Sequence, residues 1–498
     1  MTKPTCELAL SPAGRRLKVA AGMALRDVLF EQGVEFPCGG HGRCKGCRVR
    51  LLKGHLEPGA EEARVLTQAE LADGWRLACR HFIAGDLELE LAQWEMPILS
   101  DHSAFAFTPR AGLGAAVDLG TTTIAAQLLD LATGNVLAAR TALNAQARHG
   151  GDVISRVEYA LRGGQGELER LVREQIGRMI GQLLDSTPPE QELVRIVLVG
   201  NTVMHHLFCG LDVTPLATHP FEPEHPGRIR FSTAQLGWGG NTAVEFMPCI
   251  GGLVGSDILA GIVATGLGQR DGLGALIDLG TNGEVVVGGR DRLVCTSTAA
   301  GPAFEGARIA MGMRAATGAI SEVRAIDGAI VCRIIGGGAA RGLCGSGLVD
   351  AVAAGLNLGW IEAGGRMTLG SMPLSGPVAL IPQDVRELQL AKGAIAAGLR
   401  MLAARLGVAP GEIGQLHLAG AFGNTVGRVS ARRIGLLRLP VERIVPAGNA
   451  ALLGAKRALF EDPVLWDGLA KRIEHVALNE EPAFQDIFAE EMRFPERA

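Results

Sequence analysis

Gly112-Leu-Gly-Ala-Ala-Val-Asp-Leu-Gly-Thr-Thr-Thr123 and Gly272-Leu-Gly-Ala-Leu-Ile-Asp-Leu-Gly-Thr-Asn-Gly283 agree at eight of twelve positions and begin 160 residues apart. One Asp-x-Gly-Thr is only a turn between strands; a second copy in the same context implies a duplicated lobe. Around the first copy, 115–117 predicts a strand leading in, 123–129 a strand leading out, and Ala132-Thr-Gly-Asn135 a turn into a third. Around the second, 275–277, 284–287 and 293–296 repeat that order, with Gly288-Gly-Arg-Asp291 as the turn. A meander with such a tip offers backbone N–H groups and hydroxyls to an anion. Gly120, Thr121 and Thr122, with Gly280, Thr281 and Asn282, are therefore candidate phosphate contacts, and two facing hairpins can clamp the β- and γ-phosphates of ATP. Asp118 and Asp278 are candidates to hold hydrated Mg²⁺ or orient the attacking water, since magnesium keeps most of its waters and takes few protein carboxylates. Glu284 is a further candidate for orienting water.

Ahead of these hairpins stands Cys38-Gly-Gly-His-Gly-Arg-Cys44-Lys-Gly-Cys47, with Cys79 thirty-two residues on. Four thiolates can converge on two iron atoms if a loop wraps without side-chain clash, which Gly39, Gly40, Gly42 and Gly46 permit. Cys38, Cys44, Cys47 and Cys79 are the expected ligands of a [2Fe-2S] cluster. The spacing is C-x5-C-x2-C, one residue longer than the plant type, and resembles the adrenodoxin-like branch. A structural zinc site is the alternative for four cysteines, but zinc ribbons use two close pairs. His41 and His81 flank ligands and read as exposed loop residues. Around the loop, 4–11 and 16–20 predict a hairpin, 24–33 a short helix closed by Gly33, 48–52 a strand, 59–73 a polar stretch and 86–91 an alternating strand. That order is a β-grasp domain.

The 498 residues exceed one core, and the 48 basic residues nearly balance the 52 acidic ones. No field strong enough to bind nucleic acid or an anionic membrane is available. Met1-Thr-Lys-Pro-Thr-Cys-Glu-Leu has no apolar signal core, and no apolar run reaches membrane-spanning length, so a soluble, cytoplasmic protein is expected. Cys6, Cys209, Cys249, Cys295, Cys332 and Cys344 are scattered and read as small buried apolar residues. The 69 glycines fall in clusters, as tight turns require.

The paired hairpins resemble the phosphate motifs of the sugar kinase, heat-shock 70 and actin superfamily. In its order, Asp118–Thr123 looks like phosphate-1, Val197-Leu-Val-Gly-Asn-Thr202 like connect-1 and Asp278–Glu284 like phosphate-2. Leu418-Ala-Gly-Ala-Phe-Gly-Asn424 looks like the adenosine motif and Val445-Pro-Ala-Gly-Asn-Ala-Ala-Leu-Leu-Gly-Ala455 like connect-2. The resemblance implies that Gly420, Ala421, Phe422, Gly423 and Asn424 carry the purine and ribose. Gly200-Asn-Thr-Val-Met-His205, Thr298-Ala-Ala-Gly-Pro-Ala-Phe-Glu-Gly306 and Gly342-Leu-Cys-Gly-Ser-Gly-Leu-Val-Asp350 further resemble the reductive activators of corrinoid-dependent methyltransferases. These join an iron–sulfur module to this ATPase fold and return an oxidised Co(II) corrinoid to Co(I).

The expected fold is α/β: a β-grasp [2Fe-2S] ferredoxin-like domain over 1–93, a linker over 94–112, and an actin-like (ribonuclease H-like) ATPase body. The body divides into lobe I over 113–270 and lobe II over 271–455, followed by a solvated helical tail over 456–498. Only about twenty residues separate Leu91 from the first hairpin, so a separate middle domain of the family is not expected. The cofactors implied are the [2Fe-2S] cluster, ATP and Mg²⁺. The chain has no G-x-G-x-x-G after a strand, so an external flavoprotein or ferredoxin must supply electrons to it. It has no Asp-x-His-x-x-Gly cobalamin motif, so the corrinoid rides on a partner protein. Alternative readings are activation of another low-potential enzyme through a [4Fe-4S] cluster between subunits, and a nucleotide-switched redox adaptor. His205-His206 points two rings about 100° apart and reads as structural. Gly336-Gly-Gly338 reads as a turn, and Cys344 as a buried thiol.

Overall fold

A computed structural model describes the chain apart from residues 1–3, 12–13, 35, 37, 92–102, 186, 188–190, 281, 307 and 497–498. In the N-terminal module β1 (Thr5–Ser11) and β2 (Arg15–Ala20) form a hairpin. With β3 (Arg48–Lys53), β4 (Trp75–Leu77) and β5 (Leu87–Leu91) they make a five-stranded sheet of order β2-β1-β5-β3-β4, β5 lying parallel to β1. The helix Leu25–Phe30 buries Leu25, Val28, Leu29 and Phe30 against it, which completes the β-grasp. The polar stretch 59–73 holds two short helices, Glu62–Val65 and Gln68–Ala72, the second with a Thr67–Glu70 capping box.

Lobe I is a six-stranded sheet of β6 (Leu113–Leu119), β7 (Thr123–Asp130), β8 (Val136–Leu143), β9 (Leu193–Gly200), β10 (Ile229–Ser232) and β11 (Ala243–Phe246), in the order β10-β11-β9-β6-β7-β8. Lobe II opens with β12 (Gly274–Leu279), β13 (Gly283–Gly288) and β14 (Leu293–Thr298). A side layer follows, made of β15 (Ala319–Ile326), β16 (Ala329–Ile334) and β17 (Gly342–Leu343), then the hairpin β18 (Met372–Ser375) and β19 (Val378–Leu380). The lobe closes with β20 (Gln415–Ala419), β21 (Ile444–Gly448) and β22 (Ile473–His475), its main sheet running β21-β20-β12-β13-β14-β22. The duplication is plain in the pairing. Each lobe has an antiparallel meander (β6-β7-β8, β12-β13-β14) whose first strand lies parallel to a later one (β9, β20), itself parallel to another (β11, β21). Both phosphate hairpins therefore open at the carboxyl end of a central strand, the edge where sheets of this kind bind ligands.

The lobes meet where the helix Ser256–Thr265 crosses the helix Ala450–Ala458. Backbones touch there: a Cβ on Gly454 would lie 2.2 Å from the Ala260 carbonyl oxygen. This corrects the sequence reading of connect-1. Residues 197–202 end β9 and enter the buried helix Thr202–Cys209 inside lobe I, and the helix facing 450–458 across the lobes is 256–265.

Two boundaries also change. Residues after 455 are not a solvated tail, because the 450–458 helix runs through 455, β22 joins the lobe II sheet, and the helix Phe484–Met492 packs along the helix Pro382–Arg405. Ile473, Val476, Leu478 and Phe494 are buried, which is why that segment belongs to the lobe. In the linker, 94–102 lies outside the described residues, and 103–112 is pinned by Phe105 and Phe107 on Phe460 with ring centroids at 5.6 and 4.5 Å. Among the described residues no helix is long and apolar enough to cross a membrane.

Candidate functional site

The cysteine loop leaves the 25–30 helix and returns to β3, while Cys79 sits in a short 3-10 turn after β4. Gly39, Gly40 and Gly42 all adopt positive φ, where side chains are strained. A Cβ on Gly40 would lie 3.0 Å from Arg26 Cδ, and one on Gly42 2.9 Å from Arg80 Cδ. The four thiols meet in two pairs. Cys44 donates to Cys38, pulling the Cys38 thiol down to about 5, and Cys47 donates to Cys79, lowering Cys79 in turn. Cys44 and Cys47 are pushed up by those same bonds. Among the described residues no three such side chains close on a single ion. Two thiol pairs match a two-iron cluster, in which each iron takes two thiolates.

His41 is exposed, as expected, but His81 is buried at 9% exposure. Its Nε2 lies 3.0 Å from Glu62 Oε1, and the fully buried Glu62 also accepts from the N–H groups of Leu77 and Gly59. Burial pushes the Glu62 carboxyl up, yet these bonds outweigh it and hold the group below its ordinary value. Buried behind the Cys79 turn, His81 braces the loop rather than facing solvent.

In the interlobe cleft Asp118 lies at the end of β6 and accepts from Asn449 Nδ2 at 3.1 Å, a bond from lobe II to lobe I. Gly120 makes a tight turn, its N–H donating to Thr123 O, and a Cβ there would lie 2.6 Å from that oxygen. Thr121 Oγ1 accepts from Asn201 Nδ2, and Thr122 O accepts from Asn144 N–H. In lobe II the Gly280 N–H donates to Asn282 O; Thr281 lies outside the described residues. Gly420 has φ +86°, and a Cβ on it would come within 2.6 Å of Asp278 Oδ1, so only glycine lets the adenosine turn reach that carboxylate. Ala421 follows in that turn, Phe422 stacks on Phe304 at 4.6 Å, Gly423 lies against Leu418, and Asn424 Oδ1 accepts from Gly448 N–H. Glu284 stands across the β12–β13 pair from Asp278 and accepts from Ser297 Oγ.

A fourth carboxylate is one the sequence reading missed. Asp257, in the first turn of the 256–265 helix, is pushed up to about 8 by burial and by the charges of Asp118 and Asp278. Burial lifts Asp118 to about 6, and burial with Asp118 lifts Asp278 to about 7. Glu284 is raised well above its ordinary value by burial, Asp257 and Asp278. Like charges crowd one cleft, and a divalent cation would relieve them. Magnesium there would take phosphate oxygens and water as well as carboxylate. A signal for Asp257 was available: Gly251-Gly-Leu-Val-Gly255-Ser-Asp257 is a glycine turn entering a helix, and a Cβ on Gly255 would lie 2.1 Å from Gly200 O. His205 and His206 are buried, His206 Nδ1 donating to Thr202 O, and neither reaches the cleft carboxylates by any hydrogen bond described.

Comparison with known proteins accords with this architecture. Residues 8–84 match the 2Fe-2S iron–sulfur cluster binding domain, 113–270 the RACo middle region, and 273–498 the C-terminal domain of RACo, the ASKHA domain. The middle region is thus present, in the residues of lobe I, and the expectation that the chain lacks one is overturned. The chain is 33% identical over 414 residues to the corrinoid activation enzyme RamQ of Eubacterium limosum, covering 75% of this chain and 69% of that protein. It is 27% identical over 419 residues to the [Co(II) methylated amine-specific corrinoid protein] reductase of Methanosarcina barkeri, covering 76% and 77%. The solved structure of a reductive activator for corrinoid, iron–sulfur protein matches 99% of this chain and 98% of its own, with a TM-score of 0.68 and 25% identity. A β-grasp module with two thiol pairs, joined to a duplicated nucleotide-type body and related along most of its length to these proteins, places the chain in the RACo family of reductive activators.

Proposed function

We infer that this protein is an ATP-dependent reductive activator that passes one electron to a partner corrinoid protein and returns its Co(II) to Co(I). The observation that carries this reading is the four-cysteine module, whose core takes in Leu143 and Ala147 of the lobe that bears a phosphate hairpin. When bound at those thiols, a [2Fe-2S] cluster supplies a single low-potential electron, near −400 mV for plant-type centres. Electrons balance one for one: cobalt gains the electron that the reduced module loses, and an external donor, a flavoprotein or ferredoxin, restores it. Moving one electron 100 mV uphill costs about 2.3 kcal/mol, well within what nucleotide binding or hydrolysis supplies.

The residues divide the work between the lobes. Gly120, Thr121, Thr122, Gly280 and Asn282 hold the phosphates, with Thr281 assigned by its place in the motif. Gly420, Ala421, Phe422, Gly423 and Asn424 hold the nucleoside. Asp118 and Asp278 would hold hydrated Mg²⁺, which supplies charge neutralisation for the phosphates when bound, while Glu284, its carboxyl raised well above the ordinary value by burial and by Asp257 and Asp278, would orient the attacking water. Because Asn449 reaches Asp118 across the cleft, occupancy of the site bears on lobe closure, and closure can favour one state of a bound partner over another. The setting this activity calls for is a reducing, cytoplasmic one, in which thiols stay available to a cluster.

The test is anaerobic. Reduced protein, Mg-ATP and a Co(II) corrinoid protein are mixed and Co(I) absorbance is followed against a control without ATP. The reading requires Co(I) only with ATP, lost on Cys47→Ser or Asp278→Ala. Equal Co(I) without nucleotide, or no Co(I) despite an intact cluster and bound ATP, would overturn it.

A further inference from the structure

The segment after β8, together with the first turn of the helix Val153–Tyr159, touches both cofactor modules. On its cleft side three successive carbonyls of the first phosphate loop are held by it. Gly120 O accepts from Asn144 Nδ2 at 2.9 Å, Thr122 O from Asn144 N–H at 2.9 Å, and Thr121 O from Arg156 Nη2. Holding these oxygens on donors keeps their negative ends away from an arriving phosphate. Arg156 is fully buried, and its other bonds go to Gly150 O at 2.9 Å, Gln146 Oε1 at 3.2 Å and Met204 Sδ at 3.4 Å, so its charge stands behind the loop.

On its other side the same segment meets the iron–sulfur module. Leu143 and Ala147 belong to the module's own hydrophobic core. Arg148 pairs with Glu31 and lies over the Phe30 ring at 4.8 Å, and a Cβ on Gly39, next to the ligand Cys38, would lie 3.4 Å from His149 O. Between the two faces the segment is stiff. Gln175 bonds Ala145 N–H and Leu143 O at 2.7 and 2.6 Å, Gln146 N–H donates to Asn144 Oδ1, and Gln146 Nε2 to Leu168 O. Coupling between sites is carried by hydrogen-bond networks and rigid elements, and this segment is both bonded to the phosphate loop and packed on the module.

We propose that residues 143–156 couple the nucleotide site to the docking of the iron–sulfur module, with Asn144, Arg148 and Arg156 as positioning residues. Phosphate in the Gly120–Thr122 loop holds the module on lobe I, and an emptied loop releases it. By reciprocity, a docked module tightens nucleotide binding, although Arg148 and Glu31 lie outside the cleft. This rests on the nucleotide reading above.

The experiment uses the full-length, cluster-loaded chain. Affinity for a fluorescent ATP analogue is measured for the wild type, Arg148→Glu, Glu31→Arg and the charge-swapped double variant, with visible circular dichroism confirming the cluster. Each single variant should weaken binding on the order of fivefold, and the swap should restore most of it. A non-hydrolysable ATP analogue should slow amide exchange over residues 26–40 and 143–149 in the wild type and the swap, but not in the single variants. Equal affinities in all four proteins, or exchange at 26–40 indifferent to nucleotide, would overturn the coupling alone. A wild type that binds no nucleotide would overturn the functional reading and the coupling with it.

Discussion

Asp257 shows at the scale of one residue what burial among like charges does. Its carboxyl, raised to about 8, keeps in the folded chain a proton that the unfolded chain loses near pH 4. Over that window the folded state binds more protons, so this group's contribution to stability falls as pH rises. Asp257→Asn should therefore raise the melting temperature more at pH 8 than at pH 5.5, by an extra amount on the order of 2 °C, while weakening the Mg²⁺ dependence of nucleotide binding. An equal shift at both pH values would mean the carboxylate is not held protonated. Gly420→Ala addresses the opposite wall. Left-handed backbone costs a residue with a Cβ about 1–2 kcal/mol, and here the new atom would also press on Asp278 Oδ1. Nucleotide affinity should drop on the order of tenfold, read by titration with the fluorescent analogue, with the cluster spectrum unchanged.

Among the elements, the 256–265 and 450–458 helices pack against each other where the lobes meet. Gly454 fits against Ala260 only without a side chain, so Gly454→Val forces the helices apart at a cost of about 1–3 kcal/mol. A urea midpoint lowered by that amount is expected, together with a loss of lobe closure seen as weaker nucleotide binding. An unchanged midpoint would show that the crossing yields freely. The sequence allowed the strands of both meanders to be placed within a residue or two, because Gly-Thr turns bound them closely. It misplaced the crossing helix, because Val197–Thr202 and Gly251–Asp257 are both glycine turns leading into apolar helices. Only packing decides which of the two helices faces the second lobe.

At the scale of the molecule, the module sits on lobe I through 143–149 and reaches lobe II through the Glu90–Arg341 ion pair. Saturation at about 100 times Kd stabilises a binding protein by about 2.7 kcal/mol. With the module docked, the melting transition followed by cluster absorbance should rise along with the far-ultraviolet transition. A cluster signal that melts at the same temperature with and without Mg-nucleotide would mean the module unfolds on its own.

Contiguous residues sufficed for the parts list: the cysteine loop, the duplicated hairpins, and the family they point to. Each of these is written in contiguous residues, since a metal loop and a phosphate turn depend on local backbone freedom and on donors a few positions apart. Tertiary structure alone decided how the parts meet. Asp257 joins Asp118, Asp278 and Glu284, Asn449 spans the cleft, Glu62 backs His81, and the residues after 455 complete a sheet begun at Gly274. These contacts join residues far apart in the chain, and a contact between distant segments leaves no local pattern when both partners are ordinary residue types. Whether a carboxylate is a surface charge or a member of a crowded cleft is settled only by what folds against it.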